Sequence, residues 1–127
     1  MSNPFAAPAF RALVLGAALW ASACGPIDPD VRAATIVELK GDAAAGKTLF
    51  ETRTRRACAT CHGVDGVGGG HYPNIHPAST GFSTTALALQ ILEGKREMPP
   101  FASFLSDDEI ADIIAYLRAT FGTSVPP

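Results

Sequence analysis

Cysteine, methionine and charge are all scarce in this chain, and each shortage removes a class of protein. Three cysteines, Cys24, Cys58 and Cys61, are too few and too unevenly spaced for a disulfide framework. Charged residues make up 17% of the chain and the formal net charge is -2, which excludes the basic surface that a nucleic-acid partner needs. No run of alternating β-branched residues is long enough to build a sheet, and no internal repeat stands out. The longest apolar run starts at Ala12 and, with Ala21-Ser22-Ala23 included, reaches about a dozen residues, short of the roughly 20 that span a bilayer. A length of 127 residues leaves room for one domain with one modest core. A buried prosthetic group would add the apolar surface that such a core lacks.

The amino-terminal end reads as an export signal over residues 1–23. Arg11 is its only basic residue, Ala12 to Trp20 form the apolar segment, and Ala21-Ser22-Ala23 supply the small residues of a cleavage site. An ordinary signal peptidase would recognise Ala21 and Ala23. The adjacent Ser22-Ala23-Cys24-Gly25 resembles a bacterial lipoprotein box, in which Cys24 becomes the acylated first residue, and acylation would account for the odd cysteine. Export with a lipid on Cys24 is the expectation, which places the protein in a periplasm, tethered to a membrane. Loss of the leader removes Arg11 alone, leaving nine basic against twelve acidic residues.

Residues 24–40 carry prolines and charges without a sustained period and are read as a linker or tether; residues 41–127 form the domain. Asp42 is placed to cap a helix running through Phe50 toward Cys58. Six glycines and two prolines between Gly63 and Gly81 predict a loop that wraps something. Ser83 or Thr84 opens a short helix that Gly94 ends, with Leu87 and Ile91 inward. Ser106 and Glu109 form a capping box for a last helix whose Ile110, Ile113, Ile114, Leu117 and Phe121 line one face. The fold class is therefore all-α, three to four helices and loops.

Cys58-Ala59-Thr60-Cys61-His62 carries the chemistry. Residues three apart on a helical turn face the same side, so two thiols can reach two vinyl groups of one porphyrin while the next residue sets an imidazole under the iron. This is the attachment pattern of a c-type haem, covalent through Cys58 and Cys61 with His62 as axial ligand. A zinc site would need about four ligands, and no second cysteine pair exists. A thioredoxin-like pair would need a βαβ setting.

The sixth iron position decides between electron transfer and chemistry on a small molecule, and Met98, His71 and His76 are its candidates. Met98 is the only methionine after the leader; it sits in a loop stiffened by Pro99 and Pro100, and a stiff loop aims a side chain well. Imidazole with thioether raises the reduction potential and closes the iron to exogenous ligands. His71, after Gly68-Gly69-Gly70, could supply a histidine ligand instead, and an open site would suit a peroxide-reducing or gas-binding protein.

Gly41-Asp42, Gly46-Lys47, Phe50, the Cys58 to Gly63 motif, Pro73-Asn74-Ile75, Met98-Pro99-Pro100-Phe101 and Asp112 to Leu117 occur in the order found in class I c-type cytochromes. The chain resembles that family over about residues 41 to 121. The resemblance implies a cytochrome c fold around one haem c, single-electron transfer between donor and acceptor proteins, and no substrate conversion. It also implies that the Pro73 carbonyl accepts a hydrogen bond from His62, that Ile75 packs on the haem, and that Gly46 and Phe50 cross against Ile113 and Tyr116. The segment from Glu51 to Ala57 is about one helical turn longer than in the shortest family members. Its Arg53, Arg55 and Arg56 could steer an acidic redox partner, and Arg96 is a candidate to meet a propionate. The same domain could serve as a fixed electron-transfer subunit of a larger dehydrogenase or oxidase.

Overall fold

The computed structural model describes residue 25, residues 27–52 and residues 57–122. The export signal, Cys24 and the arginines at 53, 55 and 56 lie outside the described residues. Six helical segments follow one another: α1 (Pro29–Glu38), α2 (Ala43–Thr52), α3 (Ala59–His62), α4 (His76–Gly81), α5 (Thr84–Glu93) and α6 (Asp107–Thr120). Among the described residues there is no strand, only isolated bridges between Gly69 and Tyr72 and between Lys95 and Met98. No helix among them is long and apolar enough to cross a membrane.

α6 organises the domain. The Ser106 hydroxyl accepts the Glu109 N–H at 3.2 Å, and the Glu109 carboxylate accepts the Ser106 N–H at 2.9 Å, so two of the amide groups that a helix start leaves orphaned are satisfied. Asp107, Asp108 and Glu109 occupy its first turn and Arg118 its last, each matched to the helix dipole. Ile110, Ile113, Ile114 and Leu117 are buried along one stripe, as their spacing predicts.

α2 lies across this stripe at very short range. The Asp42 carboxylate caps α2 by accepting the Ala44 N–H at 2.7 Å, while the Asp42 N–H donates to Asp112 of α6 at 2.6 Å. A Cβ at Gly46 would overlap the Asp112 carbonyl oxygen and come within 2.9 Å of Tyr116 Cβ, so only hydrogen fits. One turn on, Phe50 meets Tyr116 and Phe121 with ring centroids 5.3 and 5.9 Å apart. Burial lifts the Tyr116 phenol above its ordinary range, and the Glu51 charge adds to this.

Two segments depart from the sequence-based expectation. The stretch read as a linker contains α1, capped by Asp28, begun by Pro29, and packed on α5 and α6 through Ala33 and Ile36, which are fully buried. Only those two apolar side chains are inward, too few to give a visible period. The glycine- and proline-rich stretch after Gly63 likewise ends in α4, where Pro77 sits in the first turn and the Ser79 hydroxyl donates to the Ile75 carbonyl at 2.8 Å. Arg118 of α6 holds the far end of α4 by donating to the carbonyls of Ser79 and Phe82. Residues 39 positions apart make that contact, so local pattern could not reveal it.

Because backbone rather than a flexible side chain faces Gly46, the crossing cannot yield to a methyl group. Gly46→Ala should therefore destabilise the matured protein by about 2–3 kcal/mol, read as a lower guanidinium midpoint.

Candidate functional site

α3 is a single turn built to present three side chains. Cys58 precedes it in helical conformation, and the amides of Cys61 and His62 both bond to the Cys58 carbonyl, at 3.2 and 2.9 Å. Gly63, at φ 73°, then turns the chain out of the helix. Cys58 and Cys61 are half-buried and form no disulfide with each other, and their spacing of three residues on one helical turn sets both side chains on the same side.

His62 is oriented by the chain that follows it. Its Nδ1 donates to the Pro73 carbonyl at 3.0 Å; a carbonyl only accepts, so the proton sits on Nδ1 and the Nε2 lone pair is left for a metal. The loop between them is tight. Gly68, at φ 74°, approaches the backbone of Tyr72 and Pro73 so closely that a Cβ would lie 2.7 Å from the Pro73 oxygen. The Ile75 N–H returns to the Gly66 carbonyl at 2.9 Å, and the half-buried Ile75 side chain packs against the core beside Gly66.

On the Met98 side, the amide and carbonyl of Met98 both pair with Lys95, at 3.1 Å, closing a turn whose tip, Arg96, takes the left-handed φ of 56°. Gly94, at φ 67°, also lies so close that a Cβ would overlap the Met98 carbonyl oxygen. Met98 is half-buried against the core, and Gln90 Nε2 of α5 donates to its sulfur at 3.6 Å. Nothing in the sequence singles out Gln90, a polar residue on an amphipathic helix.

The two histidines considered beside Met98 are engaged elsewhere. His76 Nε2 donates to the Asp65 carbonyl at 2.7 Å, and its ring stacks on Phe121 with centroids 4.8 Å apart. His71 Nε2 meets the Glu97 carboxylate at 2.9 Å, with both side chains about two-thirds exposed. Tyr72, which the sequence does not mark, contacts the Cys61 sulfur; the charge and hydrogen bonding of that sulfur push the phenol above its usual range, with burial and Glu97 adding smaller effects.

These residues fit a covalently held haem. Two cysteines outside any disulfide share one turn, one imidazole has its tautomer set by a backbone carbonyl, and one thioether sits in a pinned loop. Among the described residues no three His, Cys, Asp or Glu side chains gather as they would around a bare metal ion.

Comparison with known proteins gives the same reading. Residues 41–117 match the family described as cytochrome c oxidase, cbb3-type, subunit III. Cytochrome c-554(548) of Halomonas halodenitrificans is 42% identical over 85 residues, 60% of this chain and 93% of that protein. Cytochrome c6 of Rippkaea orientalis is 36% identical over 64% of this chain and 73% of its own length. The solved structure of cytochrome c6 from the diatom Phaeodactylum tricornutum superposes with a TM-score of 0.50 at 31% identity, covering 62% of this chain and 93% of that one. With the attachment motif on a half-buried turn of a helical fold, the chain belongs to the class I c-type cytochromes, small proteins that bind haem c covalently and transfer single electrons.

Proposed function

We propose that the protein is an exported electron shuttle whose haem iron lies between His62 and Met98 and whose amino terminus is tethered to a membrane by lipid on Cys24. The observation that carries the axial assignment is the hydrogen bond from His62 Nδ1 to the Pro73 carbonyl, which directs Nε2 away from the backbone. The haem supplies the one-electron couple. Cys58 and Cys61 hold it in place, and Ile75 gives it an apolar neighbour. The Pro73 carbonyl strengthens His62 as a donor by drawing on its Nδ1 proton. Met98 offers a thioether from a turn tied on both its amide and its carbonyl, so the sulfur has little freedom to swing away. Imidazole with thioether favours the reduced state and leaves no position for substrate, which suits transfer between a donor and an acceptor protein.

The lipid reading rests on Ser22-Ala23-Cys24-Gly25, and export rests on the leader that precedes it. A fixed place in a larger complex is the second reading, favoured by the matched family description, which names an oxidase subunit. A detergent extract separates the two: a shuttle elutes alone, whereas a subunit elutes with a partner in fixed ratio.

Met98→Ala should keep the haem attached through acid-acetone extraction yet abolish the weak red absorption of sulfur-to-iron ligation. It should also lower the midpoint potential by at least about 0.1 V, a modest part of the ~0.8 V that axial ligands govern, and admit cyanide to the ferric protein. An unchanged potential and red band would refute Met98 as the ligand. Cys24→Ser should move the protein from the membrane fraction to the soluble periplasmic extract; continued sedimentation with membranes would refute acylation.

A further inference from the structure

α1 lies outside residues 41–117 that match the family model, yet it carries one of the most heavily engaged side chains in the molecule. Arg32 Nε and Nη2 meet the Asp107 carboxylate at 2.7 and 2.6 Å, Nη1 donates to the Ala102 carbonyl at 2.5 Å, and Nη2 donates to the Leu105 carbonyl at 3.0 Å. The Arg32 side chain as a whole is only 13% exposed. Its planar fork spreads donors over three nitrogens and so reaches acceptors set well apart, whereas a lysine has all its donors on one nitrogen.

The acceptors lie on one stretch of chain. Ala102 and Leu105 belong to the turn that joins Met98-Pro99-Pro100-Phe101 to α6, and Asp107 is the first residue of that helix. Upstream, the amides of Phe101 and Ala102 bond to the carbonyls of Ile91 and Leu92 at the end of α5, at 3.0 and 3.2 Å. The chain leaving Met98 is therefore held by α5 on one side and by Arg32 on the other. Ala33 and Ile36, both fully buried, fix α1 itself, so Arg32 reaches out from a rigid base. An exposed ion pair would contribute little here, but this one is largely shielded and grips backbone as well as charge.

We propose that Arg32 is a positioning residue for Met98: α1 acts as a brace that keeps the Met98 loop closed and opposes release of the sulfur from iron. The proposal rests on Met98 being the sixth ligand. Loss of Arg32 leaves Asp107 and two carbonyls to water and frees the downstream half of the loop, so a competing ligand meets an open site more often.

Imidazole titration of the ferric holoprotein, followed by loss of the weak red band, tests this together with guanidinium unfolding. Arg32→Met should bind imidazole about tenfold more tightly than the parent while still giving a cooperative unfolding transition. Arg32→Lys keeps the charge opposite Asp107, which protects the fold, but lacks the fork; it should bind imidazole at least about threefold more tightly. If both variants match the parent in imidazole affinity, even with lower unfolding midpoints, Arg32 only glues α1 to the domain and the proposal is overturned. A parent protein with no red band would instead overturn the Met98 assignment, and the brace with it.

Discussion

The hydrogen bond from His62 Nδ1 to the Pro73 carbonyl exists only because the eleven-residue span between them folds back on itself, and much of the domain serves that return. Closing such a loop costs entropy that one hydrogen bond, worth about 1 kcal/mol net, does not offset. The remainder comes from elements on either side. Gly68 lets the backbone reach Pro73, Ile75 returns to Gly66, and His76 ties the loop to Asp65 while stacking on Phe121. Arg118 then secures the end of α4 to α6, and α6 is seated against α2 where Gly46 permits backbone contact. The imidazole is thus oriented by a chain of contacts that ends in the helix crossing at the centre of the core.

The Met98 side is built on a different plan. Its turn is closed by only two backbone bonds to Lys95, and the left-handed conformation of Arg96 works against it. Support therefore comes from outside, from Gln90 and the carbonyls of α5 before and beside the loop and from Arg32 beyond it. A side chain held by its own loop and one held by distant helices differ in what can disturb them. Core packing governs the first, and the docking of α1 and α5 governs the second.

Where structure was written locally, the sequence could be read. Asp42, Ser83, Gly94 and the Ser106 to Glu109 box each satisfy orphan backbone groups within three or four residues, and the helices begin and end where those residues predict. The thiol pair and His62 were legible because the chemistry demands a fixed spacing on one turn. The Pro73 contact was implied by family resemblance, not by any pattern in the residues. Three to four helices were expected and six segments are described, because α1 and α4 depend on long-range anchors: the buried Ala33 and Ile36 with Arg32 for one, Arg118 for the other. Gln90 and Tyr72 escaped for a related reason. A polar side chain on an amphipathic helix or in a loop looks solvated until the sulfur beside it is placed.

An electron carrier works best when its ligand field changes little between oxidation states, and under the proposed His62 and Met98 ligation the groups that support these two side chains favour that. His62 is oriented by a carbonyl, Met98 by main-chain bonds, and the loops bearing them by the guanidinium groups of Arg32 and Arg118. Main-chain carbonyls do not titrate at all. His71, whose Nε2 meets the Glu97 carboxylate, lies largely exposed and outside this framework. A side-chain carboxylate in place of the Pro73 carbonyl would make the imidazole more electron-rich still, but it would add a charge whose burial is costly and whose protonation would change the imidazole's surroundings. Backbone acceptors held by distant arginines give a weaker effect on the imidazole and a steadier one.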